Sequence, residues 1–224
     1  MTWFTAHFKF GVNTAEVQDA QHTIRRLLQA GVIKGNETVD PGELSSRLGI
    51  PRRHIASALS NLEAEGILER RGGRTIVVRV ITEDEISEIL AIRHDVESRV
   101  AEQLARIATD EDIDALRQEI DAQRRAAVAD ERILFMDHAA EFHCLLAERA
   151  RFIHAARIMR TWQDLQRVIG VGALHSRHVM LLVAHEHADL VDFIEAGDEQ
   201  RARELATQHL LATAGRLNIS AVTE

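Results

Sequence analysis

Between Asp40 and Val78 the apolar positions fall at helical spacing, then break at glycines. Asp40 can cap a helix whose first turn holds Pro41, and Glu43 stands where it can reach back to complete a capping box. Leu44 and Leu48 form the inward side of that helix, and Gly49 allows the positive φ that ends it. Pro51 opens a second helix after a tight turn, with Ile55, Ala58, Leu59 and Leu62 as one apolar stripe. Its other side shows Arg53, Ser57 and Ser60, with Arg52 at the shoulder. A hairpin turning at Arg71-Gly72-Gly73-Arg74 follows. An earlier helix over 15–30 points Val17, Ala20, Ile24, Leu27 and Leu28 inward and stops at Gly31. The pattern is that of a winged helix-turn-helix, whose exposed Arg/Ser face and Arg-tipped hairpin suit a phosphate backbone.

From Thr82 and Glu85, a second capping box, the period is helical throughout. Helices are expected over about 83–108, 110–129, 131–149, 152–169, 176–195 and 198–217. Their breaks fall at Thr109-Asp110, Asp130, Gly170-Val171-Gly172 and Gly197-Asp198. Both prolines lie before this region, which suits an uninterrupted bundle. The expected fold is mainly α. It comprises an arm over 1–14, a winged domain over 15–80 and a bundle of six to seven helices over 81–224.

Polar residues interrupt the bundle's apolar stripes. Arg93 and Glu97 fall amid Ile86, Leu90, Val100 and Leu104. They are either an ion pair holding helices in register, or a guanidinium facing a cavity to receive a carboxylate. His143, His187 and His209 each occupy the inward stripe of a different helix. Singly each reads as a core histidine; together they suggest a shared metal site. His94, His138, His154, His175, His178 and His185 project sideways or outward, and His175/His178 show only a weak i, i+3 metal spacing.

Charge sharpens the division. Through residue 80 the chain has 11 Lys/Arg against 8 Asp/Glu, a net +3; the remainder has 16 against 27, a net −11. That asymmetry implies one half that meets nucleic acid and one that avoids it. Cys144 is the single cysteine, which excludes an internal disulfide and implies a reducing cytoplasm. No apolar run reaches membrane-spanning length. Trp3, Phe4, Phe8 and Phe10 make the N-terminal arm aromatic, as for a segment that packs on the body or on a partner. Catalysis finds little support: Cys144 follows His143 directly, so the two diverge by about 100° on a helix, and no nucleophile elbow, phosphate loop or dinucleotide turn occurs.

The arrangement over about 15–216 resembles the GntR family of bacterial transcription regulators, in the FadR-type branch with a helical FCD effector domain. The resemblance is carried by LSSRLGI at 44–50, PRRHIASALSNLEAEGIL at 51–68, the wing glycines, IRHDVESRVAEQLA at 92–105, FHCLLAE at 142–148, EHADLVDFIEAGD at 186–198 and RARELATQHL at 201–210. It implies a ligand-responsive repressor that binds an operator as a homodimer. Arg47, Arg52, Arg53, Ser57 and Arg74 are its expected DNA-binding residues. Arg52 matches the first family arginine, the second falls on Ala56, and Arg74 takes a usual glycine position. Arg93 and Glu97 fall on the effector-domain Arg and Glu, which implies a small organic acid as effector. The family metal set of one Asp and three His maps onto Ala139, His143, His187 and His209, so the acidic ligand is missing. Asp137 and Glu141 lie on other sides of that helix, and the family's Ser-Gly-Asn turn is Ala150-Arg151-Phe152. Three imidazoles can still hold zinc or another divalent transition metal. The alternative is a metal-free pocket for a more apolar ligand. Ile158, Trp162, Leu165 and Ile169 are candidates for the dimer face or for core.

Overall fold

A computed structural model describes residues 14–160, 174 and 176–219. They form two compact units divided between Val80 and Ile81. In the first unit, α1 (Ala15–Gln29), α2 (Pro41–Leu48) and α3 (Arg52–Ala64) precede a hairpin of β1 (Leu68–Arg71) and β2 (Thr75–Val78). Asp40 caps α2 by accepting from the Glu43 amide at 2.7 Å. Only that half of the expected box forms. Gly49 ends α2 at φ 68°, and α3 starts within three residues. That short link lets Ile55, Ala58, Leu59 and Leu62 of α3 seal completely against Val17, Ala20 and Ile24 of α1. Each such Leu or Ile side chain contributes about 1.5–3 kcal/mol by leaving water.

The antiparallel strands pair Leu68 with Val78 and Arg71 with Thr75. Arg71 therefore ends β1, and the turn is Gly72-Gly73-Arg74, not the four residues expected. Gly72 and Gly73 take φ 59° and 80°, a region open to residues without a Cβ. Thr14 is the N-cap of α1 and belongs to that helix, while residues 1–13 of the expected arm lie outside the described residues. Leu27, Leu28 and Leu48 are half-buried at the edge of this core.

The second unit is helical: α4 (Glu83–Ile107), α5 (Asp110–Val128), α6 (Arg132–Arg149), α7 (helical over 153–160), α8 (Arg177–Glu195) and α9 (Glu199–Arg216). Ends differ from expectation by a residue or so, within ordinary fraying. Thr82 and Glu85 form the expected capping box on α4. Thr109 and Asp112 form another on α5, at the position expected only as a break. Arg149 reaches Asp112 at 3.1 Å, tying the start of α5 to the end of α6. α4 packs along α9, and α5 packs against α6 and α8. Val100, Leu104, Leu116, Ile120, Phe142, Val191 and Ile194 fill the main core, and a second cluster holds Phe135, Met136, Leu174 and Met180. Ile158 on α7 is 46% exposed, so it is no core residue of this chain. Trp162, Leu165, Ile169, the Gly170–Gly172 loop and His175 lie outside the described residues.

Candidate functional site

The helical unit brings inward-facing polar residues of α4, α6, α8 and α9 to one place. Arg93 and Glu97, one turn apart on α4, are 7% and 4% exposed. The Arg93 Nε donates to Glu97 Oε1 at 2.6 Å. The other carboxylate oxygen of Glu97 lies 2.8 Å from His143 Nδ1, close but off the line of a good hydrogen bond. Burial works to raise the Glu97 carboxyl, but attraction to Arg93 and His143 overrides it and holds the group well below the usual carboxylate range. Burial drives His143 down to about 4 against the pull of Glu97, so the imidazole is neutral at pH 7.

His143, His187 and His209 are all buried, and one ligand atom from each lies within 4.8 Å of the others. Their ring centroids are 4.6–5.2 Å apart. Each Nδ1 has its own outer neighbour. His187 Nδ1 meets Gln123 Oε1 at 2.7 Å, and His209 Nδ1 meets Glu186 Oε2 at 2.8 Å. An amide or carboxylate oxygen only accepts, so these contacts place the proton on Nδ1 and leave the Nε2 lone pair free. The two free atoms, His187 Nε2 and His209 Nε2, face each other at 3.4 Å. Two ring nitrogens at that separation can share a proton or hold a cation between them. Two Zn–N bonds of 2.0–2.1 Å at the tetrahedral angle separate their nitrogens by about 3.4 Å. Burial also drives His187 well below its ordinary value, aided by repulsion from the neighbouring imidazoles, Arg93 and Arg216, which keeps it a neutral donor. The donor set therefore fits a divalent transition metal, and the oxygen partners behind the rings are the kind that orient metal-bound imidazoles.

A cavity of about 60 Å³ opens beside the cluster. At 10–15 Å³ per water centre, that space holds on the order of five waters, or a small ligand. Arg93, the three histidines, Thr213 and Arg216 supply its polar lining; Leu90, Phe135, Met136 and Val183 are among its apolar walls. Ala139 lines the same cavity, so its methyl group stands where an acidic side chain would be in reach. Among the described residues, no carboxylate lines it.

Three residues here escaped the sequence reading. Gln123, wholly buried, continues the spacing of Leu116 and Ile120, so its place on an apolar stripe was a usable signal. Glu186 sits next to His187 in sequence and gave none. Arg216 lies two turns beyond His209 and binds Glu186, a pairing visible only once α8 and α9 are packed. Of the other histidines, His154, His178 and His185 are exposed, while His94 and His138 are half-buried and paired with Asp95 and Glu119.

In the first unit Arg47, Arg52, Arg53 and Arg74 are all exposed, and Ser57 is half-buried. Arg53 Nε donates to the neighbouring His54 ring at 3.0 Å. Ala56, at the position of the missing family arginine, is exposed on α3.

Residues 16–78 match the family described as bacterial regulatory proteins, gntR family, and residues 88–212 match the FCD domain. A protein of Paenarthrobacter nicotinovorans named "Probable D-xylose utilization operon transcriptional repressor" is 28% identical over 172 residues, covering 76% of this chain and 74% of that one. The HTH-type transcriptional regulator YdhC of Bacillus subtilis (strain 168) is 21% identical over 208 residues, 92% of this chain and 90% of its own. The solved structure of E. coli McbR/YncC superposes with a TM-score of 0.76 at 14% identity, over 92% of this chain and 98% of that one. At that identity the likeness is one of fold.

Proposed function

Since this chain belongs to the GntR family of bacterial transcription regulators, with an FCD domain behind its winged helix, we propose that it is a cytoplasmic, homodimeric repressor released or tightened by a small carboxylate. Two winged units bind a pseudo-palindromic operator. α3 enters the major groove, Arg52, Arg53 and Ser57 meet bases or phosphates, and Arg47 and the wing's Arg74 meet the backbone. The exposure of all four arginines supports that reading. Ile153 and Ile158, exposed on α7, support a face for the second copy.

The effector carboxylate lies in the helical unit against Arg93, beside a zinc or similar ion held by His143, His187 and His209. Bound there, the metal supplies a Lewis-acid anchor for an anionic oxygen. The chain's own residues do the rest. Glu97 orients Arg93 and steadies His143, Gln123 and Glu186 set the other two rings, and the apolar walls exclude water. The single observation that carries this reading is the cluster of three buried histidines, with His187 Nε2 and His209 Nε2 facing each other at 3.4 Å, beside a buried guanidinium. An effector acts by binding two arrangements of the DNA-binding units with unequal affinity.

Elemental analysis of the purified protein, beside a His143→Ala, His187→Ala variant, tests the site. Near-stoichiometric metal in the natural protein and none in the variant is the expected outcome. Equal, negligible metal in both overturns the metal. It leaves the second reading, a pocket for a more apolar ligand, which the Leu90, Phe135, Met136 and Val183 walls favour.

A further inference from the structure

Two arginines line the cavity, and each is only half used. Arg93 on α4 spends Nε on Glu97, and its Nη2 is buried with no hydrogen-bond partner. Arg216, at the end of α9, spends Nη2 on Glu186, and its Nη1 is likewise buried and unpartnered. A buried guanidinium nitrogen without an acceptor is costly, and such groups in native proteins ordinarily meet a ligand or water. Both carboxylates are absent from the lining, and each neutralises one of these arginines. The cavity lining thus holds two arginines, each with one buried nitrogen that lacks an acceptor.

We infer that the effector is a dianion with a carboxylate at each end, one received by Arg93 and the metal-binding histidines and the other by Arg216. The inference rests on the carboxylate reading above and adds a second anchoring point to it. Charge supports the same conclusion. A divalent ion on three neutral imidazoles brings two positive charges to a cavity whose described lining holds no carboxylate. A dianion cancels them, whereas a monoanion leaves one uncompensated in a space walled by Leu90, Phe135 and Val183. Ala139 is part of this logic, because an acidic side chain there would have filled half of that need from within.

The test titrates the full-length protein with malonate, succinate and glutarate, and with the half-amide of each, by calorimetry and thermal melting. A half-amide keeps the length and one carboxylate but loses the second charge. At least one diacid is expected to bind about tenfold or more tightly than its half-amide, the effect of one charge-assisted contact. Arg216→Gln is expected to reduce that preference to within twofold. Because Arg216→Gln could unsettle α9 by stranding Glu186, the Arg216→Gln, Glu186→Gln pair serves as a second variant that removes both partners. If half-amides bind as tightly as diacids, the inference is overturned and the single-carboxylate reading stands. If no carboxylate binds at all, both fall.

Discussion

Replacing Glu97 by Leu strands a charge. Arg93 has a side chain only 8% exposed, and its ion-pair partner is Glu97 at 2.6 Å. Burial holds His143 neutral, so losing its contact with Glu97 leaves no second charge behind. Removing one member of a buried pair costs about 3–5 kcal/mol, because the other remains desolvated. That is a large part of the roughly 5–15 kcal/mol that holds an ordinary domain together. Replacing both, as Arg93→Met with Glu97→Leu, removes the stranded charge and restores apolar packing. The double variant should be as stable as the natural chain, or about 1–4 kcal/mol more so. Urea denaturation followed by circular dichroism measures each difference. Calorimetry with a short carboxylate should find that the double variant no longer binds it. The reasoning fails if the double variant is as unstable as the single one, since the pair then acts to hold helices together and not to receive a ligand.

Three further outcomes follow from the same geometry. If the histidine cluster holds a metal, chelation lowers the melting temperature of the natural protein but not of the His143→Ala, His187→Ala variant, because a ligand of the native state alone stabilises it. An Arg52→Ala, Arg53→Ala variant should lose DNA affinity across a salt series, with a shallower slope by roughly one per phosphate contact removed; unchanged affinity and slope refute their role. Burial works to raise Asp112, but hydrogen bonds from Thr109 and attraction to Arg149 outweigh it, and its carboxyl sits below its usual value. The stability this group contributes is therefore present above about pH 4, the unfolded value, and is lost as pH falls through the lowered folded value. Asp112→Asn should be less stable than the natural chain at pH 7, with the gap closing in acid; a constant gap contradicts the assignment.

Much of the fold was readable along the chain because its determinants are local. The Asp40 and Thr82 caps, the left-handed Gly49 and the α3 stripe each involve groups within a few residues, so spacing suffices to place them. The misreadings were local too. Arg71 joins β1 because its pairing with Thr75 extends the ladder, a cross-strand matter that a turn motif does not show. Glu43 leaves the Asp40 cap one-sided, since an exposed side chain gains little by folding back.

Helical periodicity alone placed Arg93, Glu97, His143, His187 and His209 on inward faces, because an apolar stripe marks the side that leaves water. What it did not contain was their relation to one another. His187 is 64 residues from Gln123, and His209 is 23 from Glu186. Which nitrogen of each ring turns inward follows from those distant oxygens, and so does the orphaned edge of Arg216. The packing of α4, α5, α6, α8 and α9 decided that separate polar intrusions, each unfavourable in its own helix, become one site where their costs offset one another and a bound anion can complete the balance.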